Sequence, residues 1–415
     1  MAAMGVVRAC APPAAVGASS AAPSSSRRDA AQTKRSSRTA RVLVLGGTGR
    51  VGGSTATALS KLRPDLSILV GGRNREKGES LATKLGAQSE FVQVDTRNTS
   101  VLEKALQDAI DTLPFSEQTA YIDVCDDTDY SWRAKGFHEQ AKAAGVPAIT
   151  TAGIYPGVSN VMAAELVHAA RSENGEPERL RLEFLTSLLT RSHLVFFYYT
   201  AGTGGAGPTI LATSFLLLGE DVIAYNKGEE IKLKPYSGAL GIDFGKGVRK
   251  KNVYLLNLPE VKSAFKILGV PLLVPSLVPL LFSGIGECRL SQTFYLLYEF
   301  LRDRNKVQKL VESVDPLVRA IDGIAGERVS IRVDLECSNG RNTIGLFTHR
   351  KQSVSVGFAT AAFALAVLEG NTQPGVWFPE EPEGIAMEAR KLLLERASEG
   401  TSNFVMNKWF LFRQP

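Results

Sequence analysis

The chain has 415 residues, long enough for two or three domains. Hydrophobic residues make up 44% and charged residues 22%, the balance of a mostly globular protein rather than a disordered one. The formal charge is +6, but residues 1–40 hold six basic side chains against one acid, Asp29; the rest of the chain is nearly neutral, which excludes a globally basic nucleic-acid binder.

Residues 1–40 are rich in Ala and Ser and lack the apolar stripe of a packed helix, so they need not fold. Hydroxylated, Arg-containing and acid-poor, they have the composition of an organellar transit peptide, and the Ser content favours the plastid. A chloroplast location, stromal or membrane-associated, is expected, with cleavage before Arg41; an ordinary disordered tail is the alternative. Cys10, Cys125, Cys288 and Cys337 form no C-x-x-C pair, and the four His have no metal-ligand spacing, so no metal site is expected.

From residue 41 the pattern changes. RVLVLG (41–46) reads as a buried strand, followed by Gly47-Thr48-Gly49-Arg50-Val51-Gly52 and an Ala-rich helix. Strand, G-x-G-x-x-G and helix in that order form the dinucleotide-binding fingerprint. The first Gly permits a tight turn, the second admits a pyrophosphate, and the third brings helix and sheet together. Free N–H groups at the helix start face the negative charge. The expected cofactor loop is Gly46, Gly47, Thr48, Gly49, Arg50, Val51 and Gly52.

A second strand, 66–71, ends in GGRNREKG, with Arg73 lying 21 residues beyond Gly52. An acid at this place would hold the ribose hydroxyls of NAD; a cation suits the 2′-phosphate of NADP. NADP is therefore the expected cofactor. Strands at 91–95, 121–126 and 146–151 alternate with helices at 76–85, 100–110 and 131–144, which predicts a mostly parallel sheet. Asp95 at one strand end is placed at the adenine side. Asp126 and Asp127 end another, toward the reacting half, with helix capping as the competing role. Cys125 reads as core, and His138 as a surface or packing residue.

The junction AGIYPGVSNV (152–161) makes a rigid turn at Tyr155-Pro156-Gly157 and opens an apolar helix at Ser159 and Asn160. The second half has an α+β texture: strands at 179–187 and 194–200, a glycine-rich loop AGTGGAGPT, a helix at 209–218 and a strand at 251–256. Runs 328–337 and 341–349 joined through Asn339-Gly340 predict a hairpin. Tyr155, Asp126 and His193 are the candidates for proton transfer. The segment 267–286 holds no charge over 20 residues, the length of a membrane span, but Pro271, Pro275 and Pro279 interrupt it. A buried or interface segment is the favoured reading, with peripheral membrane or lipid contact as the rival. A small-residue helix within 353–370 is expected to return to the first sheet, followed by PGVWFPEE (374–381) and a last helix at 385–397.

Together VLVLGGTGRVGGSTATAL, GGRNREKGESLA, ITTAGIYPGVSNV and QPGVWFPEE resemble the saccharopine dehydrogenase-like family over roughly 41–381. The uncharged segment makes the chain look most like its eukaryotic, plant-type oxidoreductases, some of which are linked to membranes or lipid bodies. The resemblance implies a Rossmann domain completed by a returning C-terminal helix, an inserted α+β domain with substrate contacts and often a dimer surface, and NAD(P)-dependent reduction of imines. The expected division is 1–40 leader, 41–170 dinucleotide-binding domain, 171–350 α+β substrate or dimerisation domain, 351–400 returning helices and 401–415 tail. The expected activity is that of an NADP-dependent oxidoreductase on a small C=N or C–N substrate that can be apolar. A non-catalytic NADP-binding protein associated with membrane or lipid is the alternative.

Overall fold

The computed structural model describes residues 6–10, 40–110, 119–173, 177–186, 212, 215–216, 219–235, 240–245, 248–277, 300–313, 329–340 and 342–409. The fold is α/β, as expected: a Rossmann-like sheet and a second, largely antiparallel one. The first sheet contains β1 (Val6–Cys10), β2 (Arg41–Leu45), β3 (Ser67–Gly72), β4 (Ser89–Gln93), β5 (Thr119–Asp123), β6 (Pro147–Ile149) and β15 (Gly375–Trp377). Their order is β15-β6-β5-β1-β2-β3-β4. All pairings are parallel except those of β1, which runs antiparallel between β2 and β5. Residues 6–10, within the stretch read as a leader that need not fold, therefore contribute one strand to this sheet.

The period of two along β2 explains its layers. Val42 and Val44 join the core beneath α1 (Arg50–Leu62), while Leu43 and Leu45 face the other side with Val94 and Ala105. Helices α2 (Arg75–Leu85) and α3 (Thr99–Ile110) alternate with the strands. The helix expected over 131–144 is broken into α4 (Thr128–Lys135) and α5 (His138–Ala143), with Gly136 and Phe137 between them.

Helix α6 (Val158–Ser172) leaves the first sheet and lies against the second. The second sheet runs β10 (Leu240–Asp243), β11 (Lys250–Leu255), β12 (Leu272–Leu277), β7 (Pro177–Thr186), β13, β14 and β16, with β8 (Val222–Asn226) paired to β12 and β9 (Glu229–Leu233) paired to β8. β13 (Val329–Cys337) and β14 (Asn342–His349) form the expected hairpin. Close approach to α6 is possible because β14 carries Gly345, where a Cβ would stand 2.7 Å from Met162 Cε. Thr401–Trp409, assigned above to a tail, is β16 on the edge of β14.

The uncharged segment is divided. Residues 267 and 268 end α7 (Pro259–Leu268), and Leu272–Leu277 forms β12 between β7 and the strands β8 and β11. A single helix across 267–286 is thus not formed: Gly269 ends α7 in the left-handed region, and the next residues join a ladder. Residues 278–286 lie outside the described residues. No described helix is long and apolar enough to cross a membrane.

Helix α8 (Gln352–Leu368) returns to the first sheet and is buried on all sides except at Val354. Its small residues allow contact with the backbone of α1: a Cβ on Gly357 would fall 2.6 Å from the carbonyl carbon of Ser54. The three-residue β15 then extends the sheet beside β6, held by the His138 ring, whose Nδ1 is 3.0 Å from Val376 O. α9 (Met387–Ala397) packs on α8 and α6.

Candidate dinucleotide-binding site

The glycine loop joins β2 to α1, but its residues divide the work differently from the sequence expectation. The positive φ (78°) lies at Gly46, which makes the turn. Gly47 is packed: its N–H donates to Val44 O (3.1 Å) and Gly71 O (2.8 Å), and a Cβ would stand 2.8 Å from Val70 Cγ1. Gly49 caps α1 with no side-chain hydrogen bond to the helix start. Gly52 closes α1 onto the loop, because a Cβ there would collide with the carbonyl of Gly46. A helix start leaves several N–H groups without intrahelical partners, and here the chain supplies no side-chain cap for them. Such an end attracts anions, and the residues present fit a pyrophosphate.

Thr48 stands over the end of β3, where a Cβ on Gly72 would come within 2.6 Å of its Oγ1. Arg73 follows, exposed. Asp95, just after β4, is gripped by Arg97: Nη2 donates to Oδ2 at 2.6 Å, Nε to Oδ1 at 3.0 Å, and the Arg97 backbone N–H to Oδ1 at 3.1 Å. Those bonds, with attraction from Arg97 and then Arg73, lower the Asp95 carboxyl to about 2. Arg73, Asp95 and Arg97 thus meet at one strand edge with a net positive charge. Arg97 was missed in the sequence; its signal was the Asp-x-Arg spacing after a strand.

At the other end of the edge, Asp123 is fully buried. Its Oδ1 accepts from Cys125 N–H, Thr151 N–H and Thr150 Oγ1, which pins the loop after β6, including Thr151 at φ 63°. Burial raises its carboxyl. Asp127 caps α4 by accepting from Tyr130 N–H (2.9 Å) and pairs with Arg304 at 3.1 Å. Cys125 is core, its thiol pushed up by burial. Asp126 is half-buried beside them. Next to the Arg304 pair lies a cavity of about 300 Å³, whose walls include Glu220, Asp221, Asn257, Arg302 and Arg304.

Tyr155 lies in a closed turn in which Val158 N–H and Ser159 N–H return to the carbonyls of Gly153 and Ile154. Its hydroxyl accepts from Gln352 Nε2 at 3.1 Å. Gln352 is five residues before Gly357 on α8, a rise of about 7.5 Å, so Tyr155 is tied through α8 to the start of α1. His193 lies outside the described residues, as do the aromatic run 194–200 and the glycine-rich loop after it.

A further set was not visible in the sequence. Asn160 Nδ2 donates to Glu380 Oε1 (3.0 Å) and Ser263 Oγ (3.4 Å), and Ser159 Oγ lies 3.5 Å from Glu260 Oε1. Glu260 and Glu380 are each 1% exposed. Glu260 looks like an ordinary first-turn acid of α7, and Glu380 like part of a turn, so neither announces its burial.

Residues 42–149 match the family model described as the saccharopine dehydrogenase NADP binding domain. No curated protein matches the chain. Among solved structures, the apo saccharopine dehydrogenase (L-Glu forming) of Saccharomyces cerevisiae is 12% identical, with a TM-score of 0.57, over 87% of this chain and 98% of that one. The homospermidine synthase of Legionella pneumophila, solved with NAD, is 14% identical with a TM-score of 0.51, over 90% and 92%. The chain thus has a saccharopine-dehydrogenase-like NAD(P)-binding fold, and its segment 42–149 is similar to the NADP-binding domain of that family.

Proposed function

We propose that the protein is an NADP-dependent oxidoreductase acting on a small C=N or C–N substrate. The observation that carries this reading is the cation pair Arg73 and Arg97 beside a glycine loop shaped for a pyrophosphate. Arg73 stands where an acid would hold free ribose hydroxyls, and Arg97 pairs with Asp95, so the acid at the neighbouring strand end is already occupied. When bound, the cofactor supplies or accepts a hydride at its nicotinamide. The chain would receive that ring near the ends of β5 and β6, where Asp126 lies, and would exclude water there. Asp126 or Tyr155 would move the proton that the reaction requires, and the cavity beside Asp127 would receive the substrate. The similar folds support a nicotinamide-dependent reading without choosing between NAD and NADP, since one is a saccharopine dehydrogenase and the other a homospermidine synthase bound to NAD.

Calorimetry with both dinucleotides tests the cofactor. NADP is expected to bind at least tenfold more tightly than NAD, and Arg73→Ala with Arg97→Ala to erase the difference; equal affinity in the unaltered protein rejects the assignment. We also propose that the protein is of the plant type and resides in the chloroplast, as the composition of residues 1–40 suggests. Import of the labelled precursor into isolated plastids, with shortening on entry, is the expected result.

A further inference from the structure

The polar cluster at Asn160 joins three parts of the chain. Asn160 lies in the first turn of α6. Glu380 follows β15, an edge of the first sheet. Glu260 lies in the first turn of α7, which is fastened to the second sheet by Phe265 stacked on Tyr225, centroids 3.7 Å apart. The Asn160 amide bridges Glu380 and Ser263, and Ser263 Oγ donates to the backbone carbonyl of Glu260 at 3.2 Å. Each carboxyl nevertheless leaves its Oε2 buried with no hydrogen-bond partner among the described residues.

The charged surroundings compensate only in part. Asp126, from the end of β5, opposes ionisation of Glu260, and Glu381, from the turn after β15, opposes that of Glu380. Arg390 is the near cation and is attracted by Glu380, but its hydrogen bonds go to the backbone oxygens of Glu380 and Ile385 and its ion pair is with Glu165 at 3.6 Å. Lys262 and Lys266 on α7 lie over the Trp132 ring, and Lys135 is bound to Glu381. Among the described residues no ion pair reaches Glu260 or Glu380. A buried carboxylate without a cation is far costlier than a neutral carboxyl.

We propose that Glu260 and Glu380 are carried as neutral acids at mildly acidic pH and form, through Asn160, a proton-dependent joint between the nucleotide-binding domain and the second domain. Burial, reinforced by their mutual repulsion at Glu260, raises Glu380 to about 7 and Glu260 to about 8. As pH rises through that range two like charges appear between α6, α7 and the β15 turn, and the joint loosens. The inference stands on the fold and holds whether or not a dinucleotide binds.

The full chain is tested by hydrogen exchange from pH 6 to 9, corrected for the intrinsic pH dependence. Protection of amides in the first turns of α6 and α7 is expected to fall at least tenfold, and to change less than twofold in Glu260→Gln/Glu380→Gln. If the double variant does not fold, the single variants carry the comparison, each halving the pH response on a logarithmic scale. Infrared spectra give the second readout: between pH 6 and 9 wild type should lose two more protonated-carboxyl bands than Glu260→Gln/Glu380→Gln, and each single variant one more. Constant protection in wild type, an equal loss in the Gln variants, or bands unmoved by the substitutions overturns the joint.

Discussion

Asp95 decides how far the cation pair can favour a phosphate. Its carboxylate is held well below the usual range by Arg97 and Arg73, so it stays charged at every working pH and subtracts from the field that the two cations present. Asp95→Asn is therefore expected to tighten NADP about two- to fivefold, the scale of an exposed ionic interaction, and to leave NAD nearly unchanged. Titration calorimetry at low and high salt checks this, since the gain should shrink as salt screens it. Gly52→Ala acts differently. The new methyl would meet the Gly46 carbonyl, so the turn must open, and both dinucleotides should be lost together at a stability cost of about 1–3 kcal/mol. Retained binding of either would show that the loop yields more readily than its packing suggests.

Elements explain what was legible before the structure. RVLVL and SILVGG are runs without polar interruption, the pattern of strands covered on both faces, and β2 and β3 stand where expected. Asn339-Gly340 between two long runs identified the β13–β14 hairpin by its turn chemistry. β15 was illegible because its three residues form a strand only by pairing with β6, more than two hundred positions earlier. Glu260 and Glu380 were hidden for the same reason: first-turn and turn acids read as solvated until α6, α7 and β15 converge. α8 was legible as a small-residue helix, and its tight seat makes a prediction. Gly357→Val adds three carbons, the first of them against the Ser54 backbone, and should destabilise the chain by about 1–3 kcal/mol. Val354→Ala, at the one half-buried position of that helix, should cost clearly less in the same denaturant titration.

For the whole molecule, buried titratable groups of two kinds set opposing pH limits. Glu260 and Glu380 have folded values raised above the ordinary 4.5, so the native state holds protons that the unfolded chain has released. Stability from this pair is complete at low pH and is lost as pH rises from about 4.5 toward 8. Asp123, raised by burial, adds to the same slope. His349 works in the other direction. Burial lowers it from 6.5, and its Nδ1 accepts the Lys351 N–H at 2.9 Å, which requires the unprotonated nitrogen. The unfolded chain then binds the proton first, so this contribution is present above 6.5 and is lost as pH falls below it. The two glutamates and Asp123 outnumber the single imidazole, so stability is expected to fall from pH 5 toward pH 8, with His349 only easing the slope below pH 6.5. Glu260→Gln/Glu380→Gln should remove most of that fall, whereas His349→Asn, which can still accept from Lys351, should steepen it below pH 6.5 and leave it unchanged above. Denaturant titrations across pH 5 to 9 separate the two; a fall that persists undiminished in the double Gln variant would place the pH sensitivity in other groups.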